Sequence, residues 1–277
     1  VSQEEKNFIY TDDKLPSENF KKFANTVFEA AIRDLDFPTS LNDNLTFIKP
    51  KRPKSIFEAA SQTLKEFNRD LVEKSFQKIK KLSKKTIKHF NEVKENEWVV
   101  KPSIPILYFG DLNHYFHSKL KIITVALNPS NKEFPLEEKP RFSFCPAELS
   151  ESDADKYMKT LSQYFEKNEF HEPYDEWFNM QAERILNQLG STYYPDKEFN
   201  NRALHTDLCS PIATDPTWDE LKTSISPDDF KLLKRDGYKI WIKLMQILNP
   251  DILLISIDRK KYLKPNGFVE KYILRDN

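Results

Sequence analysis

The sequence predicts an α/β fold: a three-layer α/β/α sandwich with a mostly parallel central sheet, preceded by an N-terminal helical extension. Three observations carry this. After residue 102, short β-branched runs alternate with segments of helical period, the signature of strands joined by covering helices. The run Ile252, Leu253, Leu254, Ile255 is apolar at every position, as a parallel strand buried on both faces would be. Residues 1–101 show helical spacing and no strand-like run. A chain of 277 residues, 39% hydrophobic, with 21 Phe, 11 Tyr and 4 Trp, is long and apolar enough to bury a core, which excludes a disordered chain. Only 4 Gly exclude a collagen or a Gly-rich barrel.

In the extension, residues 1–101, Phe20, Phe23, Val27, Ala31 and Leu35 recur at helical spacing up to Phe37-Pro38. A polar, Pro-containing connection follows between Asn42 and Pro53. Ser55-Ile56-Phe57-Glu58 then reads as a capping box opening one long amphipathic helix, or two in succession. Its stripe runs through Ala60, Leu64, Phe67, Leu71, Phe76, Ile79, Leu82, Phe90 and Val93, and needs a packing partner downstream.

In the second region, residues 102–277, residues 104–110 form a short strand or turn. Residues 120–127 and 203–208 are strands bounded by turns. Tyr157, Leu161, Tyr164 and Phe165, then Trp177, Ile185, Leu186 and Leu189, mark helices, with Gly190 as a C-terminal stop. Ser226-Pro227-Asp228-Asp229 starts another helix: Ser caps, Pro takes the first turn, and the acids meet the positive end of the dipole. That helix runs through Trp241 and Leu248 to Asn249-Pro250, before the strand at 252–257.

The 43 basic and 43 acidic residues cancel, so net charge names no partner. Their distribution says more. Lys74, Lys78, Lys80, Lys81, Lys84, Lys85 and Lys88 stand in a stretch without a single acid. It fits two readings, contact with nucleic-acid phosphates or a solvated helix face. No apolar run reaches the ~20 residues of a membrane span. Val1-Ser2-Gln3-Glu4-Glu5-Lys6 is polar, and two cysteines are too few for a disulfide framework, so the expected compartment is a reducing cytoplasm.

In an open parallel sheet, ligands collect beyond the carboxyl ends of the strands. Three such ends carry polar residues: Asn128-Pro129-Ser130, Thr206-Asp207-Leu208-Cys209-Ser210, and Ser256-Ile257-Asp258-Arg259. An Asn-Pro directly after an apolar strand is, taken singly, a common turn; three polar strand ends in one chain strengthen the functional reading. Cys209 reads as a buried thiol rather than a nucleophile, since no paired base is in view. His114 and His117 have metal-compatible spacing but no third donor nearby, so no metal is expected. No Gly-x-Gly-x-x-Gly or phosphate-loop motif suggests a nucleotide, and no cofactor is expected.

The stretch Ile123-Thr124-Val125-Ala126-Leu127-Asn128-Pro129-Ser130, with Phe134-Pro135 and Pro140-Arg141-Phe142 behind it, resembles the first motif of the uracil-DNA glycosylase superfamily. Its mismatch-specific and single-strand-selective branches carry Gly-Ile-Asn-Pro-Gly or Gly-Met-Asn-Pro-Gly there. Leu204-His205-Thr206-Asp207-Leu208-Cys209-Ser210-Pro211 with Asp215-Pro216-Thr217-Trp218 is similar to the family's next segment. Leu248-Asn249-Pro250-Asp251-Ile252 is similar to the helix-end and strand pair after it. The likeness spans roughly residues 104–260, and its weight lies in the order and spacing of the motifs. The sequence departs from the pattern in three places. Ala126 and Ser130 replace glycines, and the family's last His-Pro-Ser or Asn-Pro-Ser loop is not found after Ile257. Either the sequence stops short of that loop or another segment replaces it.

The resemblance implies a DNA glycosylase without metal or organic cofactor. It would flip a base from DNA and hydrolyse its glycosidic bond through an oxocarbenium-like sugar. Asn128 would orient the water. Phe142, or its rival Phe144, would stack on the base unless both are core aromatics. Asp207 would read the base edge or merely cap its turn, His205 would support it, and Ser130 would face the DNA together with Lys80, Lys81, Lys84 and Lys85. An ionised Asp only accepts hydrogen bonds, which favours the exocyclic amine of a modified cytosine over uracil O4. Excision of such bases, which some phages install, would serve antiviral defence; excision of uracil would serve repair. Two alternatives stand beside this: an inactive nucleic-acid-binding protein on the same fold, and a small-molecule α/β hydrolase.

Overall fold

The computed structural model describes residues 53–257, with side chains from residue 69 onward except at positions 180 and 181. The expected helix at 20–35, the connection at 42–52, and Asp258 and Arg259 lie outside the described residues. The described residues divide between two compact units, one ending at Phe76 and the other beginning at Gln77. The sequence suggests a boundary near residue 101. The division falls instead inside helix α1 (Pro53–Val93), whose last turns belong to the α/β unit. The reason is apolar: Ile79, Leu82, Ile87 and Phe90 on that stretch are buried. The helix is single rather than two in succession. It begins at Pro53, before the expected Ser55 cap; proline suits the first position, where no intrahelical N–H bond is lost.

The remaining elements of the α/β unit follow in order. Helix α2 (Leu112–His117) leads to strand β1 (Ile122–Ala126) and to 3₁₀ turns at Asn131–Glu133 and Glu151–Asp153. Helix α3 is Ala154–Ser162. A composite helical stretch follows: α4 (Asp175–Trp177), a π-helical turn (Phe178–Ala182) and α5 (Glu183–Gln188). Then come β2 (Ser191–Thr192), β3 (Asn201–Arg202), β4 (Leu204–Asp207), α6 (Trp218–Ser224), α7 (Pro227–Leu248) and β5 (Ile252–Ile255).

The fold is α/β, with a small parallel sheet in the order β4-β1-β5 and a separate β2-β3 pair. Residues 104–110 are buried but form no ladder, only an antiparallel bridge from Phe109 to His205. Central strand β1 aligns Thr124 with His205 and Ala126 with Asp207. Residues in register share a face, so these four line one side of the sheet. There His205 meets the rings of Trp177 and Phe178. On the opposite side, the Trp241 indole N–H of α7 donates to the Thr206 hydroxyl at 3.1 Å. Helical segments therefore cover both faces.

Local chemistry fixes α7 as the sequence predicts. The Ser226 hydroxyl accepts from the Asp229 N–H, Pro227 occupies the first turn, and Asn249 ends the helix in the left-handed region at φ 45°. Gly190 adopts φ 70° after α5, a conformation glycine takes without a Cβ penalty. Strand β5 is half-buried rather than fully buried, because among the described residues only β1 pairs with it.

Candidate functional site

Parallel pairing continues past the ends of β1 and β4. The Leu208 N–H donates to the Ala126 carbonyl at 2.9 Å and the Cys209 N–H to that of Leu127 at 2.7 Å. These bonds keep the two polar turns side by side, so Asn128 leaves the sheet next to the segment that follows Asp207. The Asn128 amide nitrogen donates to the Pro129 carbonyl at 2.8 Å and to the Thr214 hydroxyl at 2.9 Å. Both amide hydrogens are thereby used. The remaining group, Oδ1, is an acceptor on a half-buried side chain, oriented by two fixed bonds. Ser130 caps the 3₁₀ turn, its hydroxyl accepting from the Lys132 N–H.

Asp207 has a side chain only 3% exposed, with His205 Nε2 3.7 Å from its carboxylate. The other imidazole nitrogen, Nδ1, lies 2.7 Å from the Thr124 hydroxyl, which in turn bonds the Tyr193 hydroxyl. His205 is thus oriented from behind by a buried relay. The backbone N–H groups of Leu208 and Cys209 go to main-chain carbonyls of β1 and its turn. Asp207 is therefore not the acceptor for either of the first two amides of its own turn.

Glu133 joins this cluster, and no sequence motif singles it out. It ends the first 3₁₀ turn, is 7% exposed, and accepts a hydrogen bond from the Tyr164 hydroxyl. Burial pushes its carboxyl up to about 8, and the neighbouring Asp207 charge adds to the rise; the Tyr164 bond and the Arg141 charge work against it. Buried Arg141 holds Glu138 at 2.5 Å, while its Nε has no partner among the described residues. The four consecutive polar residues Ser130, Asn131, Lys132 and Glu133 give no burial pattern, which is why a buried carboxyl there is illegible without the fold.

Phe142 is 4% exposed and packs on Phe134, centroids 5.3 Å apart and nearly parallel. It also meets Tyr164 and Phe109, so it is a core aromatic. One part of it nonetheless lines a cavity of about 90 Å³ together with Glu133, Phe134, Pro135, Arg141 and Cys145. Pro102 is shared between this cavity and a larger one of about 390 Å³ along Phe90, Lys101 and Ser103. Phe144 is not part of the cluster: its N–H donates to the Thr160 hydroxyl, and the Lys156 ammonium lies over its ring.

The lysine run divides in two. Lys80 is half-buried and bonds Asp155 at 2.7 Å, which removes it from the free cationic surface. Lys81, Lys84 and Lys85 are exposed, as are Lys78 and Lys88. Lys78, Lys81, Lys85 and Lys88 recur every three or four residues and form one stripe opposite the buried one.

Cys209 is buried, with burial raising its thiol to about 12 and Tyr238 as its hydrogen-bond neighbour. It is a packed thiol. His114 and His117 are exposed on α2, His114 Nδ1 2.5 Å from Asp111. Among the described residues, no group of three or more His, Cys, Asp or Glu side chains is placed to hold a metal. No helix among them is long and apolar enough to cross a membrane. Compared with protein-family models, curated proteins and solved structures, the chain matches none.

Proposed function

We propose that the chain is a monofunctional DNA glycosylase that hydrolyses the N-glycosidic bond of a flipped base. The observation that carries this reading is Asn128, whose donors are both tied to Pro129 and Thr214, which leaves its carbonyl as an oriented acceptor. A water held by that oxygen presents a lone pair to the sugar carbon as the base departs. An amide is a weak base, so positioning and preorganised electrostatics supply the acceleration. Glu133 lines the cavity beside Phe142 that takes the ring, and the reading of the base edge is assigned to Asp207, whose carboxylate lies near His205. The exposed lysines of α1 track phosphates, which hold DNA without reading its sequence.

A modified cytosine fits this site better than uracil. The carboxylate of Asp207 accepts from an exocyclic amine, whereas uracil O4 would set acceptor against acceptor. The adjoining cavity at Pro102 leaves room for a substituent beyond the ring. Normal cytosine must be spared, so the substituent has to be required for cleavage. Bulky modified cytosines are installed by some phages, which makes antiviral defence the role this reading supports. The test is incubation with single- and double-stranded DNA containing modified cytosine, cytosine or uracil, followed by detection of abasic sites. Release of modified cytosine supports the reading. Release of uracil alone makes the chain a repair enzyme, and salt-sensitive binding without release makes it a nucleic-acid-binding protein.

A further inference from the structure

We propose that Glu133 is the general acid of this site and protonates the leaving base; this rests on the glycosylase reading above. Three features of the geometry point there. The side chain lines the same cavity as Phe142 and Arg141, within a buried cluster. The Tyr164 hydroxyl donates to one carboxyl oxygen and so fixes the group's orientation, leaving the second oxygen to carry a proton. The charged and titratable groups around it are Asp207 from β4, Arg141 from the following loop and Tyr164 after α3, with His205 beside Asp207. Their combined effect, with burial dominant, keeps Glu133 protonated at neutral pH.

The chemistry needs such a group. Uracil leaves as an anion whose charge spreads over two carbonyls. A cytosine-type ring has an amine in place of one carbonyl, and its anion is far more basic. Expelling it requires a proton on the base as the bond breaks. In the step proposed, the C1′–N1 electron pair goes to the base while the Glu133 proton passes to its N3 or O2. The water held by Asn128 bonds through oxygen to C1′, its surplus proton is released to solvent, and Glu133 is reprotonated from solvent. The products are the free base and an abasic sugar, with no change of oxidation state.

The test compares the wild-type chain, Glu133→Gln and Tyr164→Phe on two DNAs, one bearing a modified cytosine and one the uracil with the same substituent. Gln is close in size, and its carbonyl still accepts the Tyr164 bond. Glu133→Gln should slow release of the cytosine-type base about 100-fold and of the uracil-type base less than about 10-fold. Wild-type release of the cytosine-type base should fall above about pH 8. Glu133→Gln should lack that limb, and Tyr164→Phe should move it to higher pH, because the Tyr164 bond holds the Glu133 value down. Equal losses on both bases, or a limb that neither variant moves, overturns the role of Glu133. If Glu133→Gln works at the wild-type rate, that role fails and the glycosylase reading survives. If the wild-type chain releases no base from either DNA, both fail.

Discussion

Gly237 of helix α7 lies so close to the Cys209 carbonyl that a Cβ added to it would sit 1.9 Å from that oxygen and 2.8 Å from the Ser210 Cα. The helix therefore rests directly on the turn that follows β4, two residues beyond Asp207. Glycine at this point is needed for close approach and not for an unusual backbone angle. Because the obstructing atoms are main chain, a methyl group cannot be accommodated by turning a side chain. Gly237→Ala should destabilise the unit by about 3 kcal/mol or more, at or beyond the upper end for overpacking. Urea unfolding should show a lower midpoint at an unchanged slope. A midpoint equal to wild type would show that α7 is not seated on this turn.

Asn128→Ala should reduce base release by about 100-fold while leaving the far-ultraviolet circular dichroism unchanged, since the residue is half-buried and lies outside the sheet. Thr214→Val removes one of the two anchors of the amide and should give a smaller loss. Full activity in Asn128→Ala would remove the residue from the mechanism, and unfolding would make it a structural turn.

Replacing Lys81, Lys84 and Lys85 together with Glu should weaken DNA binding for all sequences and flatten its salt dependence. Each lost phosphate contact lowers the log–log slope by roughly 0.9 on duplex DNA. Lys80→Glu alone should change the slope less, because Lys80 is already engaged by Asp155. Identical slopes for the triple variant and wild type would make the run a solvated face.

Stability should carry the mark of Glu133. Its folded value, about 8, exceeds that of an unfolded carboxyl near 4.5, so between these limits the folded state binds the extra proton. The sign follows: stability is highest below the unfolded value and declines as pH rises from about 5 to about 8. For one group the decline is roughly 1.4 kcal/mol per pH unit at most. Chemical unfolding at a series of pH values should show Glu133→Gln with a shallower profile over this window, and coincident profiles would place the titration elsewhere.

Cys209 should resist alkylation in the folded chain at pH 8, because burial keeps its thiol protonated and closed to reagent. Rapid labelling in native buffer, against a slow rate expected to rise only on unfolding, would contradict the packing around Tyr238.

By itself the sequence determined the elements whose signals are local. Ser226 and Pro227 define the start of α7 through capping and a fixed φ, and Asn249 ends it. The β-branched run at 122–126 makes β1, and the stripe of Ile79, Leu82 and Phe90 buries one side of α1. Asn128 was legible as a strand end because it directly follows an apolar run, and Asp207 because it stands near the end of the strand-like run 203–208. What only the tertiary structure decided depends on neighbours distant in sequence. Phe142 became a core aromatic through Phe134, Tyr164 and Phe109, and Lys80 lost its freedom to Asp155, 75 residues away. Glu133 looks like any surface acid beside Lys132, yet the 3₁₀ turn carries it under Tyr164 and toward Asp207. Burial and the field of nearby charges set the proton affinity of a carboxyl, and both are properties of the packed fold rather than of the residues on either side of it.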